Sequence, residues 1–137
     1  MRRLVILLAV VLPLALHAQE RGLSQAADQA RKAWLAHDAG GLVAESPGLV
    51  LQLPGADPSA ALGPAQSAAL ISDFLAQAQE VEIVVRAARE VEPGRGYVEL
   101  QRRYRVAGTQ DVRVQSLLLG YRLGPSGWSL VELRVVG

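Results

Sequence analysis

The chain has 137 residues, with 14 Lys+Arg against 13 Asp+Glu; half of its residues are hydrophobic and a fifth charged. That is room for one domain, and it excludes both a disordered tail and a fibrous or coiled-coil polymer. The absence of cysteine excludes disulfides, thiolate metal sites, iron–sulfur clusters and a cysteine nucleophile.

Met1-Arg2-Arg3 is a basic start, Leu4 to Leu16 an apolar run of 13 residues, and His17-Ala18-Gln19 a polar exit. This is the tripartite order of a secretory signal. A membrane-spanning helix needs about 20 apolar residues, and Pro13 interrupts this run, so no permanent membrane anchor is expected. Residues 1–18 are expected to be cleaved as a signal peptide, leaving 19–137 as a single exported domain, periplasmic or extracellular. Cleavage removes Arg2 and Arg3 and no acid, leaving 119 residues with 12 bases and 13 acids, a net charge of −1. Such a balance offers no long-range field to phosphate backbones, and no nucleic-acid partner is expected.

Ser24 is positioned to cap a helix running to about His37, with Leu23, Ala26 or Ala27, Ala30, Ala33, Trp34 and His37 on one apolar face. Asp28 and Lys32 lie one turn apart on its other face. Gly40-Gly41 is expected to break this helix, with one further turn over Leu42 to Glu45 before Pro47-Gly48. Leu49 to Leu53 reads as a short strand, and Pro54 to Pro64 as irregular chain. Pro64 suits the first position of a helix that carries Ala68, Ile71, Phe74 and Leu75 inward. From there the period changes from 3.6 to 2. Strands are expected near 80–91, 97–107, 111–123 and 128–136, separated by Pro93-Gly94-Arg95-Gly96, Gly108-Thr109-Gln110 and Gly124-Pro125-Ser126-Gly127. Each separator fits a hairpin. Helices first and a meander afterwards mark an α+β domain with helices on one face of an antiparallel sheet.

In the strand 97–107 the inner parity reads Val98, Leu100, Arg102, Tyr104 and Val106. In 128–136 the inner set is read as Val131, Leu133 and Val135, which leaves Trp128, Leu130, Glu132, Arg134 and Val136 outside. The strand 111–123 is apolar on both parities, as a strand covered twice would be. Trp128, Leu130 and one side of 117–121 are therefore expected to form a face for homodimer pairing; ordinary surface apolarity is the alternative.

The two amino-terminal helices, the Pro/Gly-rich crossover, Ile71-Ser72-Asp73-Phe74-Leu75 and the last strand Trp128-Ser129-Leu130-Val131-Glu132-Leu133-Arg134-Val135 resemble the nuclear transport factor 2-like superfamily. Within it, the chain is similar to short secreted bacterial domains of unknown function. The resemblance covers roughly residues 22–137 and implies a cone-shaped roll, with N-terminal helices packed on a strongly curved sheet around a cavity. It also implies relatives of isomerase, dehydratase and cyclase type beside non-catalytic ligand-binding and dimeric members. The isomerases use an Asp base with a Tyr and a protonated Asp as oxyanion donors. The matching stretch here, Ala44-Glu45-Ser46-Pro47-Gly48, has one acid, and no catalytic residue is carried over.

Four side chains are candidates to line the cavity. Arg102, a guanidinium in an inward parity, must be paired or face a cavity or water. It would anchor an anionic ligand group, pair with Asp38, Glu45 or Asp73, or lift its head out of the core. Tyr104 and Tyr121 would offer phenols to a ligand, or place their hydroxyls at the rim. Glu45 would reach the cavity mouth or remain a surface residue at a helix end. No cofactor or metal is expected: the mature chain's one histidine, His37, reads as a helix-end residue, and Glu80-x-Glu82 as an alternating strand edge. The sequence thus points to an exported, non-catalytic domain binding a small apolar or anionic ligand, or a protein partner. A cone-fold enzyme and a structural homodimer are the alternatives.

Overall fold

The computed structural model describes Ala18 and residues 22–137; apart from Ala18, the expected signal segment lies outside the described residues. Helix α1, described over residues 22–35, buries Leu23, Ala27, Ala30 and Trp34, the apolar stripe that its sequence spacing requires. Ser24 lies inside this helix rather than at its cap. Asp28 pairs with Lys32 at 3.0 Å and Arg31 at 2.9 Å, and hydrogen bonds from these two side chains hold its carboxyl below the usual range.

The helix runs to Leu35 and closes through His37, within two residues of its expected end, and Gly40-Gly41 plays no part in stopping it. His37 has a φ of 55°. The Asp38 amide donates to the Ala33 carbonyl at 2.8 Å and the His37 amide to the Trp34 carbonyl at 3.0 Å. These are the paired closing bonds of a left-handed helix cap, in which glycine is the usual residue. Both glycines instead lie within a second helix, α2 (Ala39–Val43), capped by the Asp38 carboxylate on the Gly41 amide. After the short strand β1 (Val50–Gln52), Pro64 opens α3 (Pro64–Leu75), which buries Ile71 and Leu75; Ala68 and Phe74 are half-buried against the same core.

Four strands then run as a meander: β2 (Ala78–Glu92), β3 (Arg95–Val106), β4 (Val112–Gly124) and β5 (Gly127–Val136). Gly94 and Gly108, both at a φ of 76°, and Gly127 at 113° supply the turn conformations that side chains disfavour. The sheet order is β1-β5-β4-β3-β2, with β1 parallel to β5 and the other pairs antiparallel. The helices cover one face, and Val98, Leu100, Leu117, Leu119 and Leu133 are almost wholly buried between the layers.

Two of the sheet's four register shifts decide where the candidate side chains face. In β5, Tyr121 pairs with Leu130 and Gly120 with Glu132, so Val131 is an extra residue. In β2, Glu80 pairs with Tyr104 and Glu82 with Arg103, which makes Val81 the extra residue. A bulge resets the alternation on its far side. This corrects the expected dimer face: Leu130 is 5% exposed within the core, and Trp128 packs against that core. The outer sheet face carries Val112, Val114 and Val136, all exposed, and half-buried Leu118; a pairing through the sheet would have to use these residues.

Candidate functional site

The candidate polar residues occupy two separate places between helices and sheet. The first is a closed cluster. Arg102, 1% exposed, projects from β3 into the interior. Its Nε donates to Glu80 Oε2 at 3.2 Å, its Nη2 donates to Glu80 Oε1, and its Nη1 donates to Gln115 Oε1 at 3.0 Å. The guanidinium lies 4.0 Å from the Tyr104 ring centroid, 5.3 Å from that of Trp34 and 5.4 Å from that of Phe74. Glu80 is as deeply buried, and His37 Nε2 lies 3.6 Å from its Oε1. Gln115 in turn donates to the Gly137 carbonyl at 3.3 Å.

The charged groups of this cluster are committed to one another, while the buried Trp34 indole N–H has no hydrogen-bond partner among the described residues. The Arg102 charge is neutralised by Glu80 through a two-point contact, and three aromatic faces surround it. Its partner is none of the three acids expected. Tyr104, 9% exposed, serves as a stacking surface for that guanidinium. Arg102 is therefore a buried structural cation rather than an open anchor for an anion. Its cross-strand neighbour Gln115 was legible from strand pairing; Glu80 was not, because Val81 shifts the alternation.

The second place is a cleft of about 350 Å³. One wall is α1, through Ala26, Gln29 and Ala30. The exit of α2 supplies Leu42, Glu45 and Ser46, and the sheet supplies Tyr121, Trp128, Ser129 and Leu130. The cap of α2 sets this wall. An added Cβ at Gly41 would lie 2.3 Å from Asp38 Oδ2, so only glycine lets the carboxylate fold over the helix start. The Ser46 hydroxyl donates to the Leu130 carbonyl and ties the α2 exit to β5. Replacing Asp38 by alanine is expected to cost about 1 kcal/mol in urea unfolding and to weaken ligand binding in the cleft; unchanged values for both would detach the cap from the site.

Tyr121 forms part of the cleft lining from the sheet. It is 6% exposed, and its hydroxyl has no hydrogen-bond partner among the described residues. Burial pushes the phenol above its usual pKa, so it remains a neutral donor at physiological pH. Glu45, at the mouth, is exposed and makes no ion pair among the described residues. The fold thus brings Tyr121 and Glu45 together in one cleft, and places Arg102 and Tyr104 elsewhere. Trp128 and Leu130 join the cleft, which strict alternation missed. An isolated glycine in a strand is a bulge signal, and Gly120 is one: its added Cβ would stand 3.1 Å from that of Glu132.

No protein-family model matches the chain, and no curated protein matches it. Solved structures do. A ketosteroid isomerase-like protein from Erwinia carotovora atroseptica is 15% identical with a TM-score of 0.67, over 85% of this chain and 94% of that one. A domain of unknown function with a cystatin-like fold from Nostoc punctiforme is 18% identical with a TM-score of 0.68, over 87% and 76%. A nuclear transport factor 2-like protein with a cystatin-like fold from Novosphingobium aromaticivorans is 20% identical with a TM-score of 0.67, over 92% and 86%. This chain has the cystatin-like cone fold of the nuclear transport factor 2-like proteins.

Proposed function

We propose that the protein is an exported domain that binds a small, largely apolar molecule in the cleft without transforming it. The observation that carries this reading is a cleft of about 350 Å³ whose wall holds Tyr121, a phenol without a hydrogen-bond partner among the described residues. Its hydroxyl is left to bond with whatever enters the cleft, and one such hydrogen bond contributes about 0.5–1.5 kcal/mol. Ala26, Ala30, Leu42 and Leu130 supply the apolar walls, and Trp128 adds an aromatic surface. The basic start and apolar run at the N-terminus support export, which the N-terminal sequence of the protein recovered from its host will test.

The binding test uses tryptophol, a neutral indole alcohol, followed by calorimetry. The native protein is expected to bind it. Leu42→Trp, which fills the cleft, is expected to abolish measurable binding, and Tyr121→Phe to weaken it about three- to tenfold, the worth of one hydrogen bond. Binding that neither substitution alters would remove the cleft from consideration.

A second reading is catalysis of the isomerase type, favoured by the joint presence of Glu45 and Tyr121 in the lining. Its support is weaker, because Glu45 lies in solvent at the mouth. Proton exchange into an enolisable ketone, lost in Glu45→Gln, would establish it over simple binding.

A further inference from the structure

We propose that the cleft selects an organic cation: an apolar body carrying an amine whose charge rests at the mouth against Glu45 and Trp128. This inference deepens the proposed binding function and depends on the cleft being the site. It follows from the charged groups along the walls. Among the described residues that line the cleft there is no Lys, Arg or His, and there is one carboxylate, Glu45. That carboxylate has no cationic partner among the described residues, in contrast to Asp28, Glu80, Glu82, Glu92 and Asp111, each of which has one.

Among the neutral groups, the Gln29 amide and the Ser129 hydroxyl can serve either charge, and others lean toward a cation. The Ser46 proton is committed to the Leu130 carbonyl, so its oxygen has only lone pairs left to offer. The Tyr121 phenol can accept from an N–H as readily as it donates. An indole face such as that of Trp128 attracts a cation rather than an anion. A carboxylate or phosphate would meet one negative charge and no cation among the described lining residues. The guanidinium expected to serve it, Arg102, is sealed beneath Glu80, His37 and three rings.

The experiment compares three ligands that share one ring and differ in charge: tryptamine, tryptophol and indole-3-propanoate, titrated calorimetrically into the full domain at low salt. Tryptamine is expected to bind about fivefold more tightly than tryptophol, the scale of a rim-exposed charge contact with some aromatic assistance. Indole-3-propanoate is expected to bind most weakly. Glu45 is exposed, so Glu45→Gln should fold normally; it is expected to bring tryptamine and tryptophol to equal affinity. Added salt should shrink the difference in the native protein. Equal binding of all three by the native protein, or tightest binding of the propanoate, would overturn the cation preference and leave the cleft as a binding site. Failure of all three to bind would overturn both readings.

Discussion

Replacing Glu80 by alanine should cost about 3–5 kcal/mol of folding stability, the usual consequence of leaving one partner of a buried ion pair alone. The side chains of Arg102 and Glu80 are 1% and 2% exposed, so solvent cannot take over the role of the missing carboxylate. Gln115 would satisfy one guanidinium nitrogen, and the rings of Trp34, Phe74 and Tyr104 would meet a cation without a counter-charge. Arg102→Met alone should be costly for the converse reason, since it strands the carboxylate. The double variant Glu80→Leu with Arg102→Met should recover most of the loss, because desolvation of both charges opposes the pair in the native protein. Equilibrium urea unfolding of the three variants measures this cycle. A Glu80→Ala cost below about 1 kcal/mol, the range of exposed pairs, would show that the cluster is wet and that Arg102 remains open to a ligand.

That cluster also marks where sequence reading reaches and where it stops. The inward parity of β3 is written plainly in Val98, Leu100, Arg102 and Tyr104, because nothing interrupts its alternation before β4. The turns were equally legible, since Gly94, Gly108 and Gly127 adopt conformations that few other residues tolerate. Glu80 and Glu82 looked like neighbours on one strand face. The extra Val81 places Glu80 inside and leaves Glu82 exposed. Val131 does the same for Leu130 and Trp128. A bulge is a property of two strands in register, and one strand's sequence holds only an indirect trace of it. His37 is a parallel case. Its left-handed conformation is fixed by two closing backbone bonds and by its place over Glu80; the helix end near it was legible, whereas Gly40-Gly41 read as a break and lies instead within α2. The parallel pairing of β1 with β5 likewise depends on distant chain that no local pattern announces.

Leu130→Ala should destabilise the domain by about 2–5 kcal/mol, the range for truncating a large core side chain, whereas Val114→Ala should lie within about 0.5 kcal/mol of the native protein, as surface changes do. The two residues separate the alternative placements of the sheet faces. Leu130 is 5% exposed and lies on the inner face beside Tyr121, its cross-strand partner; Val114 is 52% exposed on the outer face. Were Leu130 instead part of a pairing surface between copies, its truncation would loosen an assembly and make stability depend on protein concentration. With Leu130 in the core, the unfolding midpoint should fall by the same amount at every concentration. The truncation also removes side-chain volume from a wall of the cleft, so tryptophol binding should weaken together with stability. A midpoint that moves only at low concentration, with tryptophol binding unchanged, would return Leu130 to the outer face and take the bulge at Val131 with it.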